Sequence, residues 1–315
     1  MTNYSQTFSH LVELKLIPPK TVIDISNKIT ELLIEENNLL FISGPVTVVG
    51  DIHGQFFDLL LLFKESGYDN FPDQTPPHKY IFLGDYVDRG NYSLEVILAL
   101  FILKLLHPTH FIILRGNHEC RAITKVYGFY EECFNRYQDL SIWKVIMNVF
   151  DFFSIGAVVD QSLFCVHGGL SPHTFNFFEM KNIWRFQEIP SDGGLCDLLW
   201  SDPTDDIEQW TPSPRGTGWY FGEKVVDKFL KVNNMSLICR SHQLAPRGYY
   251  WWFEQDPLKP KKKKVCTIWS APNYCYTSGN EASVLIFENK DVQKFILYGA
   301  SPNDPNHEYF LSEKK

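Results

Sequence analysis

Three stretches, GDIHGQ (50–55), GDYVDRG (84–90) and RGNHE (115–119), decide how this chain reads. Each closes an apolar run, PVTVVG, KYIFLG or HFIILRG, and places acid, amide or imidazole side chains where the run stops. Short runs of this kind read as buried strands, and a strand ending in such a loop delivers its polar residues to one edge of a sheet. The loops offer Asp51, His53, Asp85, Asp88, Asn117 and His118, all oxygen or imidazole donors without a thiolate. That set suits two hard or borderline divalent metals. The chemistry it points to is metal-assisted hydrolysis.

Outward from these loops, strand, loop and helix repeat in order. Residues 8–40 read as helical, with Val22, Ile25, Ile29, Leu32 and Leu33 at helical spacing after the break at Pro18-Pro19-Lys20. Helices are expected through Phe57, Leu60, Leu61 and Phe63, over 93–106, over 143–150 and around 180–186. The second half then turns to short β-type runs: SIGAVVD, SLFCVHGG, SLICRSH, VCTIWSAP, ASVLIFE and VQKFILY, with DQS and ENKD as hairpin turns. The expectation is an α/β fold of two β-sheets packed face to face with helices outside. Residues 1–300 read as one catalytic domain and 301–315 as a C-terminal tail.

Composition narrows the class. A formal net charge of −8 over 315 residues argues against nonspecific nucleic-acid binding, which needs a basic footprint. An anionic substrate must then be drawn by local metals and arginines. The seven cysteines form no CxxC pair, and Cys165, Cys239 and Cys266 sit in apolar runs, as buried thiols of a reducing compartment do. The N-terminus shows no secretory pattern, and the longest apolar stretch, 94–106, is interrupted by Glu95 and Lys104. A soluble protein of the cytoplasm, with the nucleus as a second location, and without nucleic-acid or membrane partners is expected.

Two later strand ends add His167, in CVHGGLSP, and His242, closing SLICRSH. Each histidine alone reads more readily as a turn residue than as a ligand. Five strand ends that each present a carboxylate, amide or imidazole are not what turn chemistry predicts. Asp51, His53, Asp85, Asn117, His167 and His242 make six candidate ligands, with Asp85 the natural bridge. Arg89 and Arg215 can fork onto phosphate oxygens, whereas Arg115, Arg121 and Arg247 read as surface or ion-pair arginines. His118, beside Asn117, can protonate a leaving alkoxide, with Asp88 orienting it and raising its pKa.

In order along the chain, GDxHGQ, GDYVDRG, GNHE, HGGLSP, LLWSDP, SPRG and SAPNYC resemble the metal-dependent phosphoprotein phosphatases over residues 46–287. YGFYEEC (127–133) and CDLLWSDP (196–203) are most like the type 2A serine/threonine phosphatase catalytic subunit and its near relatives. The resemblance implies the calcineurin-like metallophosphoesterase fold. It implies one metal held by Asp51, His53 and Asp85 and a second by Asp85, Asn117, His167 and His242. It further implies His118 as general acid with Asp88, and Arg89, Arg215 and Tyr274 around the phosphate. The activity implied is hydrolysis of phosphoserine and phosphothreonine monoesters by water activated between two divalent ions: manganese in vitro, and iron or zinc in the cell. Implied partners are phosphoprotein substrates and regulatory or scaffold subunits. Metallophosphoesterases of nucleotides or diesters share the ligand core but are not marked by DRG, SPRG and SAPNYC, and a non-catalytic binding protein does not need the complete ligand and acid set.

Four positions depart from the pattern. Thr277 and Ser278 replace the family's Arg and Cys in the rim loop, which puts inhibitor sensitivity in doubt. Cys120 follows GNHE; it reads as a neutral small-residue swap ahead of an oxidation-sensitive thiol. The run Lys261–Lys264 reads as a solvated hairpin tip ahead of a nuclear-import signal or acidic-partner patch. Tyr309-Phe310-Leu311 is followed by Ser-Glu-Lys-Lys, so Leu311 has no free carboxylate to be methylated unless the chain is trimmed.

Overall fold

The computed structural model describes residues 2–254 and 263–307. Lys261, Lys262 and Tyr309–Leu311 lie outside the described residues. The chain opens with α1 (Tyr4–Val12) and α2 (Pro19–Leu33), then β1 (Leu39–Ile42), β2 (Val46–Val49), α3 (Phe56–Glu65), β3 (Lys79–Phe82), α4 (Ser93–Leu106) and β4 (Phe111–Ile113). Helices α5 (Arg121–Tyr127), α6 (Phe129–Tyr137) and α7 (Ser141–Phe150) precede the hairpin of β5 (Gly156–Val159) and β6 (Leu163–Val166). Next come α8 (Phe177–Lys181), α9 (Gly194–Trp200), β7 (Asp202–Pro203), β8 (Trp210–Pro212), β9 (Trp219–Phe221) and α10 (Glu223–Asn233). Strands β10 (Leu237–Arg240), β11 (Arg247–Trp252), β12 (Val265–Ile268), β13 (Glu281–Asn289) and β14 (Val292–Tyr298) complete it.

The two expected sheets are halves of one. Strands run in the order β1-β5-β6-β10-β12-β11-β13-β2-β3-β4, with β14 on β13, as an 11-stranded sheet. The joint is β11, antiparallel to β12 on one side and parallel to β13 on the other. Its sequence, RGYYWW, lacks the simple apolar–polar alternation that marks a strand. Folding the sheet on itself buries Val46, Val48, Ile81, Ala157, Val159, Cys165, Cys239 and Cys266 in one interior cluster. The outer face of the β2-β3-β4 half is covered from α1–α4 and α6–α7, and that of the β5-β6-β10 half by α8–α10. A small sheet, β7-β9-β8, stands apart.

Two further expectations need correction. Helix α2 ends at Leu33, not near 40, because Glu35-Glu36-Asn37-Asn38 offers no apolar face, and Leu39–Ile42 instead pairs in parallel with β5. Residues 182–186 are not helical: the buried Arg185 guanidinium donates to Phe152 O, Asn38 Oδ1, Leu33 O and Glu36 O at 2.6–3.1 Å. Satisfying four of its five N–H groups against fixed carbonyls outweighs one more helical turn. Helix α4, apolar around nearly its whole girth, is buried from Ser93 to Lys104, as expected of a helix covered on every side.

An aromatic nest anchors α3 to the sheet. Phe63 packs 5.7 Å from Tyr68, 5.4 Å from Phe71, 5.5 Å from Tyr80 and 6.1 Å from Phe111, measured between ring centroids. Phe63→Ala is expected to cost about 3–5 kcal/mol, read as a lower urea midpoint. Because the ring touches no candidate site residue, activity per folded molecule should be unchanged.

Candidate metal centre

The sheet edge collects the polar loops as expected. Strands β2, β3 and β4 are adjacent and parallel, so Asp51, Asp85 and Asn117 follow neighbouring carboxyl ends. Strands β6 and β10 are likewise parallel, placing His167 and His242 side by side on the other half. Close approach of the second loop to the third requires glycine. Gly84 has φ +120°, and a Cβ there would lie 2.5 Å from Gly116 Cα, while one on Gly116 would lie 2.3 Å from Asp85 N. His53, Asp85, Asp88, Arg89 and His242 all hold positive φ between 47° and 73°. Such backbone is uncommon for non-glycine residues and persists only where its surroundings enforce it.

The donor atoms converge in two groups around Asp85. His53 Nε2 lies 3.6 Å from Asp51 Oδ2 and 3.7 Å from Asp85 Oδ2. His167 Nε2 lies 2.8 Å from Asn117 Oδ1, 3.3 Å from His242 Nδ1 and 3.4 Å from Asp85 Oδ1. Each ring's other nitrogen is spoken for: His53 Nδ1 donates to Val87 O at 3.0 Å and His167 Nδ1 to Leu83 O at 3.1 Å. With each ring neutral and its one proton on Nδ1, as cation binding requires, the Nε2 lone pair faces the centre.

These residues fit divalent ions. Asp51 Oδ2, facing His53 Nε2 at 3.6 Å, is buried without a hydrogen-bond partner among the described residues, an arrangement rarely left uncompensated. Burial, then the nearby charge of Asp85, pushes the Asp51 carboxyl above its ordinary pKa, a sign of like charges crowded together. Burial pushes His53 down to about 3, and burial followed by the Arg215 guanidinium holds His242 well below the usual imidazole range. Both rings are therefore neutral, as metal ligands must be.

The candidate substrate-side residues border this centre. His118 Nδ1 lies 2.7 Å from Asp88 Oδ2, leaving Nε2 facing Asp85 Oδ2 at 4.0 Å. Asp88 is itself fixed, its Oδ1 accepting Phe129 N–H at 2.9 Å. The Arg89 guanidinium stacks over the Tyr127 ring at 4.0 Å, a ring that also lies 5.4 Å from His118. Arg215 Nε donates to Asp202 Oδ2 at 2.6 Å, and Asp202 Oδ1 accepts from the buried Arg240 at 2.7 Å. Tyr274 lies against His53, 5.2 Å between rings, and against Trp269 at 5.0 Å. Arg115 and Arg121 are ion-pair residues, sharing Asp151 at 2.9 and 2.8 Å.

Sequence reasoning passed over two residues that hold the ligands. Glu119, fully buried, accepts the N–H groups of Asp85, Tyr86 and Gly116 at 2.7–2.9 Å, and so clamps the second loop to the third. Ser241 Oγ donates to Asp51 Oδ1 at 2.5 Å and accepts Asp51 N–H at 2.9 Å. Glu119 stands inside the RGNHE stretch as an acid with no basic neighbour assigned to it, the one signal available. Cys120 caps α5, its Sγ accepting Ile123 N–H at 3.4 Å, and burial pushes its thiol up to about 12, so it is held as the thiol. Thr277 and Ser278 are exposed on the rim. Lys264 pairs with Glu223 and Asp227 at 3.0 and 2.5 Å, and Lys263 lies 4.7 Å above the Trp251 ring. Glu119→Gln is expected to weaken divalent-metal affinity by about 10–100-fold, measured by titration of the metal-stripped protein, with secondary structure retained.

The profile of the calcineurin-like phosphoesterase family matches residues 44–246. The chain is 46% identical over 289 residues to the serine/threonine-protein phosphatase 6 catalytic subunit of Drosophila melanogaster, covering 92% of this chain and 90% of that one. It is 49% identical over 276 residues to the serine/threonine-protein phosphatase PP1-1 of Saccharomyces cerevisiae, covering 88% and 85%. Among solved structures, a Saccharomyces cerevisiae protein serine/threonine phosphatase with similarity to human phosphatase PP5 superposes with a TM-score of 0.84 at 31% identity, over 97% of this chain and 98% of that one. A cold-active protein-tyrosine phosphatase of a psychrophile Shewanella species shares the fold, with a TM-score of 0.60 at 17% identity over 84% of each chain. By its converging strand-end ligands and by these relatives, the chain belongs to the calcineurin-like phosphoesterase family.

Proposed function

We propose that this chain is a serine/threonine protein phosphatase whose own groups bind, orient and protonate a phosphoserine or phosphothreonine ester. The observation that carries the reading is the His118–Asp88 pair, 2.7 Å apart, set beside six convergent ligand side chains in a chain whose relatives are serine/threonine phosphatases. Asp51, His53 and Asp85 would hold one divalent ion, and Asp85, Asn117, His167 and His242 another, with Asp85 shared. Two cations so held lower the pKa of a water at the centre and draw charge from the phosphoryl oxygens. Oxygen and nitrogen donors accept manganese, iron and zinc alike.

The chain's own residues do the rest. Arg89 and Arg215 supply planar donors for the non-bridging phosphate oxygens, and each is held in place, one by stacking on Tyr127 and the other by Asp202. Asp202 therefore positions Arg215, and the fixed guanidinium spends less entropy when it meets the phosphate. Tyr274 borders the same space. His118 gives its Nε2 proton to the departing seryl or threonyl oxygen while Nδ1–H stays on Asp88. Burial opposes a charged ring, while the carboxylates of Asp85 and Asp88 raise its pKa; with Asp85 given to the ions, Asp88 on Nδ1 is the charge left to keep the acid loaded.

A second assignment of His118 has an observation behind it: its ring nitrogen joins His53 and Asp85 in a cluster tight enough to hold an ion. Asp88 on Nδ1 and the orphaned Asp51 Oδ2 favour Asp51 as the ligand and His118 as the acid. The phosphoprotein substrates, the regulatory or scaffold subunits and the cytoplasmic setting are part of the same reading. They are supported by the Drosophila relative's being a catalytic subunit and by seven cysteines that are all free, six of them buried.

The purified protein is expected to release phosphate from phosphoseryl and phosphothreonyl peptides in a manganese-dependent way, and faster than it turns over bis-p-nitrophenyl phosphate. Preference for the diester would place it among the other phosphoesterases. His118→Asn should lower kcat by about 10²–10⁴-fold with unchanged metal content, whereas loss of an ion would make His118 a ligand. The acid works while protonated, so activity holds below its pKa and falls as pH rises through it. Asp88→Asn removes one of the two charges that raise that pKa, and the alkaline limb of the kcat profile should move to lower pH.

A further inference from the structure

A second group of buried ligand-type side chains lies where the end of the described chain returns to α3. Asp58 of α3 and Asp304 and His307 of the segment after β14 each bring one ligand atom within 4.8 Å of the others, and all three are buried. His307 Nε2 lies 3.1 Å from Asp58 Oδ2 and 3.8 Å from Asp304 Oδ2. The outward-facing oxygens are already used: Asp58 Oδ1 accepts Ser301 N–H at 2.6 Å, and Asp304 Oδ1 accepts the backbone and side-chain amides of Asn306 at 2.9 and 2.7 Å. Asp58 Oδ2 also accepts from Gln55 Nε2 at 2.7 Å. Asp304 Oδ2 is different. It is fully buried, turned toward His307, and has no hydrogen-bond partner among the described residues.

Charge sharpens the point. No lysine or arginine pairs with Asp58 or Asp304 among the described residues. With a neutral ring the group carries two uncompensated negative charges, and with an imidazolium still one. A divalent cation brings it to zero, which is how buried carboxylates are ordinarily accommodated. Two carboxylate oxygens and one imidazole nitrogen, with a position left for water, form a donor set that zinc accepts, and magnesium, which keeps most of its water, suits it less well.

We propose that Asp58, Asp304 and His307 bind one divalent cation of the zinc type, through Oδ2 of each aspartate and Nε2 of the histidine, at a site separate from the catalytic centre. Binding requires His307 to lose the Nε2 proton to solvent and to carry its single ring proton on Nδ1 instead. Nδ1 now faces Asn273 Nδ2 at 3.2 Å, a donor, while Asn273 Oδ1 accepts Gly279 N–H at 2.9 Å. The carboxamide of Asn273 must turn over to accept the Nδ1 proton, and Gly279 N–H is released. The ion would thus tie the chain end to α3 and reset hydrogen bonds in the loop that begins at Asn273 and carries Tyr274.

The test is zinc content by mass spectrometry after equilibrium dialysis against a slight excess of zinc ion. Full-length wild type is expected to hold one zinc more per chain than His307→Gln, and one more than Asp304→Asn, however many the catalytic centre takes. The same difference of one should separate Asp85→Asn from Asp85→Asn/His307→Gln, so a failure of the catalytic reading cannot imitate a failure of this one. Circular dichroism confirms that each variant is folded, and His307→Gln, which keeps size and polarity, carries the comparison if Asp304→Asn does not fold. Equal zinc content within each pair overturns the proposal and leaves a hydrogen-bonded tether of the chain end without an ion.

Discussion

Two buried carboxylates facing one another, Asp51 and Asp85, are the constraint on which the rest of this molecule depends. Each is almost wholly withdrawn from water, and His53 Nε2 stands 3.6–3.7 Å from both with its lone pair turned toward them. Burial of two like charges against one ring nitrogen is costly unless positive charge lies between them. Everything around the pair either supplies donors to complete a cation's shell or restrains the backbone that presents them. Ser241 fixes one oxygen of Asp51, and Glu119 takes the backbone N–H groups that would otherwise let the Asp85 loop drift. Positive φ at His53, Asp85 and His242 shows that the loops are held in uncommon backbone by this packing.

The curled sheet brings the second half of the donor set to the first. Asp51 and Asp85 follow strands of one half, and His167 and His242 follow strands of the other. They meet because β11 joins the halves and lets the sheet fold over a common interior. His118, the proposed acid, depends on a different restraint. The turn between α5 and α6 sets Phe129 N–H on Asp88, while Arg89 N–H donates to Tyr127 O at 3.0 Å, so one helix junction positions both Asp88 and Arg89, the residues proposed to orient the acid and to meet the phosphate.

Much of this was legible in sequence because ligands at strand ends leave a local mark. PVTVVG, KYIFLG and HFIILRG announce buried strands, and the acid, amide and imidazole that follow each one have no role in a buried run. The order of strand, loop and helix through α4 was legible for the same reason. What escaped reading depends on contacts between residues far apart in the chain. The helix at the N-terminus stops at Leu33 and a strand begins at Leu39 because β5, over a hundred residues on, provides the ladder. The stretch near Arg185 is pinned open by carbonyls from α2 and α7's end. Glu119 looks like one more polar residue until three amides are seen to point at it. Asp58, Asp304 and His307 share no motif at all, and only the return of the chain to α3 brings them together.

The central claim is that two ions share the Asp85 carboxylate. Electron paramagnetic resonance of the manganese-loaded protein addresses it directly, because ions bridged by a carboxylate are magnetically coupled and isolated ions are not. The account predicts a spectrum containing the multiline signal of a coupled pair, lost in Asp85→Asn. A spectrum of isolated manganese alone in the wild-type protein would contradict it.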